Sequence, residues 1–321
     1  MKFYFAPLEG VTGYIYRNAY NNFWGGIDKY FTPFVSPTSN KCFTSRELND
    51  IMPEHNKGLP VVPQILTNNS EYFIYTMHEF KSLGYDEINL NLGCPSGTVV
   101  AKGKGSGFLT QKDELDRFLY DIFKDSCAKI SIKTRIGKDS PEEFYDIIKI
   151  FNKYPLEELI IHPRVQKDFY KNTPNMKIFK EALKFSENPV CYNGDIFNIN
   201  EYDKLTQECS GLNSVMLGRG LIANPGLIGE IKDNKMADKE KLKSFHDAVY
   251  IGYKGILSGD RNVLFKMKEF WFYMINIFSE PDRYYKKIKK AKSAHEYESI
   301  VSIMFNDLDI ADDEFRGFKG L

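Results

Sequence analysis

The chain predicts an α/β fold, a (β/α)8 TIM barrel of parallel strands followed by a small all-helical domain. Three observations predict it. Eight short apolar, β-branched or aromatic runs alternate with longer amphipathic stretches, as repeated strand–helix units require. No G-x-G-x-x-G follows the first run, which disfavours a doubly wound sheet. The alternation stops near Glu230-Ile231, and only helical spacing follows.

The strand candidates are Phe3–Ala6, Tyr30–Val35, Val61–Leu66, Glu87–Leu92, Lys129–Thr134, Glu158–His162, Pro189–Asn193 and Ser214–Leu217. Between most of them lie helical patterns. In Ser70–Leu83, Tyr72, Phe80 and Leu83 fall at helical spacing, and Glu114–Phe123 reads the same way. In Pro141–Phe151, Ser140 and Glu143 resemble a capping box. Residues 1–232 form the expected barrel, with a linker at Asp233–Asp238. Beyond it Phe245, Val249, Tyr253 and Ile256 share one helical face, as do Phe265, Phe270, Tyr273, Met274 and Ile277. Residues 239–321 therefore read as about three or four helices.

Composition narrows the function. The chain has 321 residues, 42% of them hydrophobic, enough to build a full core. Its 43 basic and 43 acidic residues balance, so any anionic partner must be met by a local patch. Five scattered cysteines, with no C-x-x-C pair, argue against a disulfide framework and a zinc site. No run approaches a membrane span, and the first residues read as a strand rather than a leader. The expectation is a cytoplasmic protein without membrane or metal, and a monomer.

Barrel strands deliver side chains to one rim, so chemistry is sought at their C-terminal ends. There the chain places Pro7-Leu8-Glu9-Gly10, then Gln64, then Asn91-Leu92-Gly93-Cys94-Pro95. Lys133 and Arg135, His162 and Arg164, Asn193-Gly194-Asp195 and Gly218-Arg219-Gly220 follow. Polar groups gathered at the ends of apolar strands usually surround a ligand. Cys94 ends an apolar strand in a sharp turn, so its thiol is presented rather than packed; the blander reading is a buried thiol acting as a small hydrophobe. The last two glycine-containing clusters sit where this fold usually binds phosphate, although either alone is an ordinary tight turn. Lys133 and His162 could stabilise negative charge on a reduced flat ring. A snorkelling lysine and a satisfied core histidine are the plainer alternatives. Gln64 could hydrogen-bond a ring edge through both ends of its amide.

Two further stretches stand out. Gly103-Lys104-Gly105-Ser106-Gly107 lacks the glycine spacing of a P-loop and reads as a mobile loop following Cys94. The run Arg283–Lys292 holds six basic residues, no acid and neighbouring tyrosines. It is a solvated helix face or a contact for phosphate backbones. The acidic segment Asp307–Glu314 offsets it in the net charge.

These motifs, in this order, resemble the tRNA-dihydrouridine synthases, flavoenzymes that reduce a uridine in tRNA. Ala6-Pro7-Leu8-Glu9-Gly10-Val11-Thr12 with Arg17 is similar to the family's opening A-P-M-x-G-x-T…R. Asn91–Pro95 resembles its N-x-G-C-P, Lys133-Thr134-Arg135 its K-x-R, and His162-Pro163-Arg164 with Tyr170 its H-G-R…Y. The two phosphate-end clusters complete the series. The departures are Asn89 in place of an acid, Pro163 in place of glycine, and Val165 in place of threonine.

The resemblance implies FMN on the barrel rim, with NADPH (or NADH) as reductant. It implies that Pro7, Leu8, Glu9, Gln64, Lys133 and His162 contact the flavin, with Asn193, Gly194, Asp195, Gly218 and Arg219 at its phosphate end. Cys94 would be the general acid that protonates C5 of the uracil, opposite hydride arriving at C6. Asn91, Arg135 and Tyr170 would hold the uracil, flipped out of its stack. The helical domain and its basic run would grip the tRNA. Two rivals stand beside this reading: an FMN barrel of the dihydropyrimidine or dihydroorotate dehydrogenase type acting on a free base, and a non-catalytic RNA-binding barrel.

Overall fold

The computed structural model describes residues 1–40 and 42–311. Residue 41 and the end of the acidic segment Asp307–Glu314, from residue 312 on, lie outside the described residues. Nine strand segments are present among the described residues: β1 Lys2–Phe5, β2 Lys29–Phe31, β3 Val61–Val62, β4 Gln64–Ile65, β5 Glu87–Leu92, β6 Lys129–Gly137, β7 Leu159–Val165, β8 Val190–Tyr192 and β9 Ser214–Leu217. All their pairings are parallel, in the order β3-β2-β1-β9-β8-β7-β6-β5-β4.

The first and last segments of that order are one strand interrupted at Pro63. Proline has no N–H to give the ladder, so pairing stops and restarts around it. Val61 and Val62 pair with β2, and Gln64 pairs with Asn89 of β5. Val35 continues the second strand and bridges Ile65. The sheet thus closes as a barrel of eight strands, at the positions expected from the apolar runs.

Side chains alternate across each strand, and that period separates two cores. Facing outward toward the helices are Phe3 and Phe5, Leu90 and Leu92, Leu159 and Ile161, Val215 and Leu217. Inside the barrel a smaller cluster holds Tyr4, Ala6, Phe31, Val62, Ile160, Cys191 and Met216. Asn89, Ser131 and Gln64, also buried, form a hydrogen-bonded chain linking β5, β6 and β4. Asn89 serves as a bridge, which gives a structural use for one of the family departures. Pro163 lies where β6 and β7 shift register, beside a bulge between Arg135 and Gly137, so its missing N–H breaks no regular pairing.

The helices follow the sequence, with one correction: Phe265, expected on one face with Phe270 and Met274, is 61% exposed, because it lies about half a turn from their buried face. Ser70–Ser82 is capped by Asn69, and Ser140 with Glu143 forms the expected capping box. After Leu227–Asp233 the chain passes through residues 234–238 to Lys239–Ile256, Asp260–Met274, Pro281–Lys290 and Ala294–Asp307. Lys239–Ile256 packs on Tyr14–Phe23, and Asp260–Met274 reaches Tyr16 through Phe270. Phe245 meets Tyr16 edge-on at 5.5 Å, with Tyr20, Phe23 and Trp24 around it. Tyr253 and Lys266 donate to the carbonyls of Val11 and Gly10, tying the helices to the loop after β1. Among the described residues no helix is long and apolar enough to cross a membrane.

Candidate active site

A cavity of about 260 Å³ opens at the C-terminal ends of the strands. Pro7, Leu8, Glu9, Gln64, Asn91, Cys94, Lys133, Arg135, His162 and Tyr170 all line it. The structure thus brings together ten residues singled out from the sequence. Pro33 and Phe34, just past β2, join them, as does Tyr273 from the helix Asp260–Met274. The first two sit at a strand end like the others, so extending the rim to the second strand finds them. Tyr273 could not be found that way, since only the packed fold carries a distant helix to the rim.

Strand register explains the grouping. Asn91 lies opposite Lys133, and Arg135 opposite His162. Asn91 supports the thiol's loop. Its Oδ1 accepts from the N–H groups of Gly93 (3.0 Å) and Cys94 (2.9 Å), while its Nδ2 donates to Gln64 Oε1 at 2.7 Å. Gln64 passes the chain on to Asn89 at 2.7 Å. Arg135 is 1% exposed, and its guanidinium donates to the carbonyls of Gly93, Val165 and Phe169. It therefore joins the Cys94 turn to the loop carrying Tyr170. Phe169 takes a positive φ of 49°, a sparsely populated conformation that the Arg135 donor helps to hold.

The opening motif has a similar logic. Leu8 N–H donates to Thr12 Oγ1 at 2.7 Å, and Arg17 donates to Thr12 O at 3.0 Å. Arg17 also holds Asn56 and the backbone of Asp50. Thr12 and Arg17 thus fix the loop that presents Pro7, Leu8 and Glu9. Glu9 itself pairs with Arg46 at the cavity mouth.

Three titratable groups matter for chemistry. Burial pushes the Cys94 thiol above its ordinary value, so it holds its proton at neutral pH. Burial, then Arg135 nearby, pushes Lys133 down to about 8. Its ammonium has no hydrogen bond or ion pair among the described residues, although it faces the cavity. Burial and the flanking cations Arg135, Lys133, Arg164 and Arg219 hold His162 well below its ordinary value, hence neutral. Arg164 Nη1 lies 2.9 Å from His162 Nε2. Arginine can only donate, so Nε2 accepts and the imidazole proton sits on Nδ1.

Asn193, Gly194, Asp195, Gly218 and Arg219 do not line the cavity; they flank it. Asp195 accepts from both Arg164 (3.1 Å through Nη1) and Arg219 (2.6 Å). Arg219 also lies 4.4 Å over the ring of Tyr170, which does line the cavity. Asn193 Nδ2 donates to Met216 O, joining β8 to β9. A Cβ on Gly194 would lie 2.1 Å from the Tyr192 hydroxyl, so any side chain there displaces that buried phenol.

One expectation is corrected. Gly103–Gly107 is not an open loop. Gly105–Thr110 is a short 3-10 helix, and Gly105 through Leu109 are buried. Ser106 donates to Cys94 O through both its N–H and its hydroxyl. The glycines allow close packing: a Cβ at Gly105 would lie 2.8 Å from Cys94 O. This segment backs the thiol's turn.

The basic run lies on the helix Pro281–Lys290. Tyr284 and Ile288 point inward, while Arg283, Lys286, Lys287, Lys289 and Lys290 are exposed. Arg283 is within 3.5 Å of Asp307, and Tyr284 also bonds that carboxylate.

A family model described as dihydrouridine synthase matches residues 4–306. A tRNA-dihydrouridine(16) synthase of Aquipseudomonas alcaligenes is 26% identical over 239 residues, spanning 72% of this chain and 75% of that one. A probable tRNA-dihydrouridine synthase of Staphylococcus aureus is 28% identical over 231 residues, spanning 70% of this chain and 69% of that one. Among solved structures, an old yellow enzyme homologue from Zymomonas mobilis shares the fold, with a TM-score of 0.53 and 10% identity over 75% of this chain and 91% of that one.

Proposed function

The chain belongs to the dihydrouridine synthase family, and from that premise we propose that it reduces the C5=C6 bond of a uridine in tRNA. One observation carries the reading beyond the family: a proton-holding thiol and an ammonium without a partner among the described residues line the same cavity. Addition across a double bond needs a hydride source and a proton source. Cys94 is suited to be the proton source, because burial keeps its thiol protonated. Asn91 and Arg135 hold its turn in place.

The residues present fit FMN. Lys133, a cation without a protein partner among the described residues, suits a ring that gains negative charge on reduction. Gln64, with Pro7, Leu8 and neutral His162, would hold the ring. Gly194, Gly218 and Arg219, with Asn193 and Asp195, would hold the phosphate end, where Arg219 would share its charge between Asp195 and the phosphate. When bound, the flavin supplies hydride, and NADPH or NADH renews it. Arg135 and Tyr170, with Asn91, would border a uracil flipped into the cavity. Residues 239–321 would grip the tRNA through the exposed lysines of the Pro281–Lys290 helix. On this reading the protein works in the cytoplasm, as a monomer.

The test is an absorption spectrum of the purified protein under anaerobic conditions, followed by NADPH and then unmodified tRNA. Flavin bands that bleach with NADPH and recover on adding tRNA are expected. Recovery with a free pyrimidine but not with tRNA would transfer the reading to a free-base dehydrogenase. A colourless protein that cannot be loaded with flavin would leave only the RNA-binding barrel.

A further inference from the structure

We propose that a groove beside the cavity mouth is a stacking site for unpaired nucleotides of the RNA substrate, those flanking the uridine to be reduced. The proposal rests on tRNA being the substrate. On the helix Asp260–Met274, the buried face carries Val263, Leu264, Met267, Phe270 and Trp271. Phe265, Lys268 and Phe272 line a groove of about 400 Å³ on its other side. Tyr285 and Lys289, one turn apart on the Pro281–Lys290 helix, form the opposite wall. Phe265 is 61% exposed, so its ring is largely unused in folding.

The rings form a continuous series. Phe272 meets Tyr273 edge-on at 5.0 Å and lies 6.2 Å from Tyr285, and Lys289 Nζ sits 5.4 Å over the Tyr285 ring. Tyr273 lines both the groove and the candidate active cavity, and so does Glu9. The series therefore runs from the place where the target base would enter to the basic helix. Aromatic faces stack any base, and ammonium groups meet the phosphates between bases. Flipping a uridine removes stacking from its neighbours, so a platform beside the cavity would replace what they lose.

Charge at the outer end of the groove favours nucleic acid as the occupant. Lys286, Lys290 and Lys292 extend the cationic surface past Lys289, and all three are exposed. Two carboxylates lie at the barrel end of the groove: Glu9 pairs with Arg46 at 2.5 Å, while Glu269 has only the longer approach of Lys266 at 3.7 Å.

The experiment measures binding of unmodified tRNA by the full flavin-loaded chain, wild type against Phe265→Ala and Phe265→Ala with Phe272→Ala. Affinity is expected to fall about tenfold in the double variant, with the salt slope unchanged, because stacking releases no counterions. Flavin occupancy and NADPH-driven bleaching should match wild type. Wild-type affinity in the double variant would overturn the proposal. Phe265→Ala alone, at an exposed position, keeps the test available if the Phe272 change unsettles the helix, with a loss of a few-fold expected. A Phe265→Trp variant adds a direct readout: its fluorescence should be quenched by tRNA and by a single-stranded oligouridylate, and no quenching by either would also overturn the groove. If tRNA binds and quenches but does not reoxidise the flavin, the substrate reading fails and with it the assignment to nucleotides flanking a reduced uridine, while stacking of RNA in the groove is retained.

Discussion

Cys94 is held in a way that suits an acid rather than a nucleophile. Burial raises its pKa, so the thiol is protonated at neutral pH and loses its proton only above the ordinary thiol range. Turnover with tRNA should accordingly be flat through neutral pH and decline only on the alkaline side. Cys94→Ala should retain flavin and its reduction by NADPH but lose turnover by about 10²–10⁴-fold; unchanged turnover would remove the thiol from the mechanism. Lys133 carries the opposite strain. An ammonium partly shielded from water, with no partner among the described residues, costs stability in the ligand-free protein. Its folded pKa of about 8 lies below the 10.5 of an unfolded lysine, so the cost is complete below pH 8 and is relieved between those values. Ligand-free Lys133→Met should therefore melt higher at pH 7, by about 2 °C for about 1 kcal/mol. It should also retain FMN less well, and lose any weakening of FMN binding as pH rises through 8. A lower melting temperature would show that the ammonium is paired after all.

At the level of elements, the rim is built by backbone capture. Arg135 joins the loop after β5 to the loop after β7, and Arg17 with Thr12 fixes the loop after β1. The loops after β8 and β9 meet at Gly220, where a Cβ would collide with the carbonyl of Ile196. Backbone cannot swing aside as a side chain can. Gly220→Ala should destabilise the protein by about 1–3 kcal/mol and loosen FMN through the Gly218–Arg219 turn. Thermal melting and flavin retention measure the two effects together, and a variant as stable as wild type would refute the close approach. The segment Gly103–Gly107 shows the limit of reading elements from composition. Glycines and serine suggest an open loop, yet the same small residues permit the tight packing seen behind Cys94.

For the whole molecule, the barrel supplies the cavity and the helices complete it. Tyr273 closes one side, and the Phe245 cluster seats the helices against Tyr14–Phe23. Two surfaces then lead away from the cavity, the aromatic groove and the lysine-bearing helix, and they should respond differently to salt. Replacing Lys286 and Lys290 by alanine removes exposed charges and should weaken tRNA binding while lowering the log–log salt slope by about one to two. An unchanged slope would return that helix face to a solvated surface.

The alternation of strands and helices was legible because side-chain period follows directly from backbone geometry, as in Glu87–Leu92 or Ser70–Ser82. The rim residues were legible for a related reason: polar side chains at the ends of apolar strands have few other uses, and Cys94, Lys133 and His162 stand at such ends. The sequence by itself therefore determined the barrel, its order, and the chemical types at its mouth. It did not determine which of those side chains would be spent on the scaffold. Asn91 and Arg135 carry polar groups of the expected kind, yet their hydrogen bonds go to the turn of Cys94 and the loop of Tyr170. Only the tertiary structure decided that, and only it brought Tyr273 and the aromatic groove beside the cavity. Such contacts join residues far apart in the chain, and no local period records which distant partner a donor or a ring will meet.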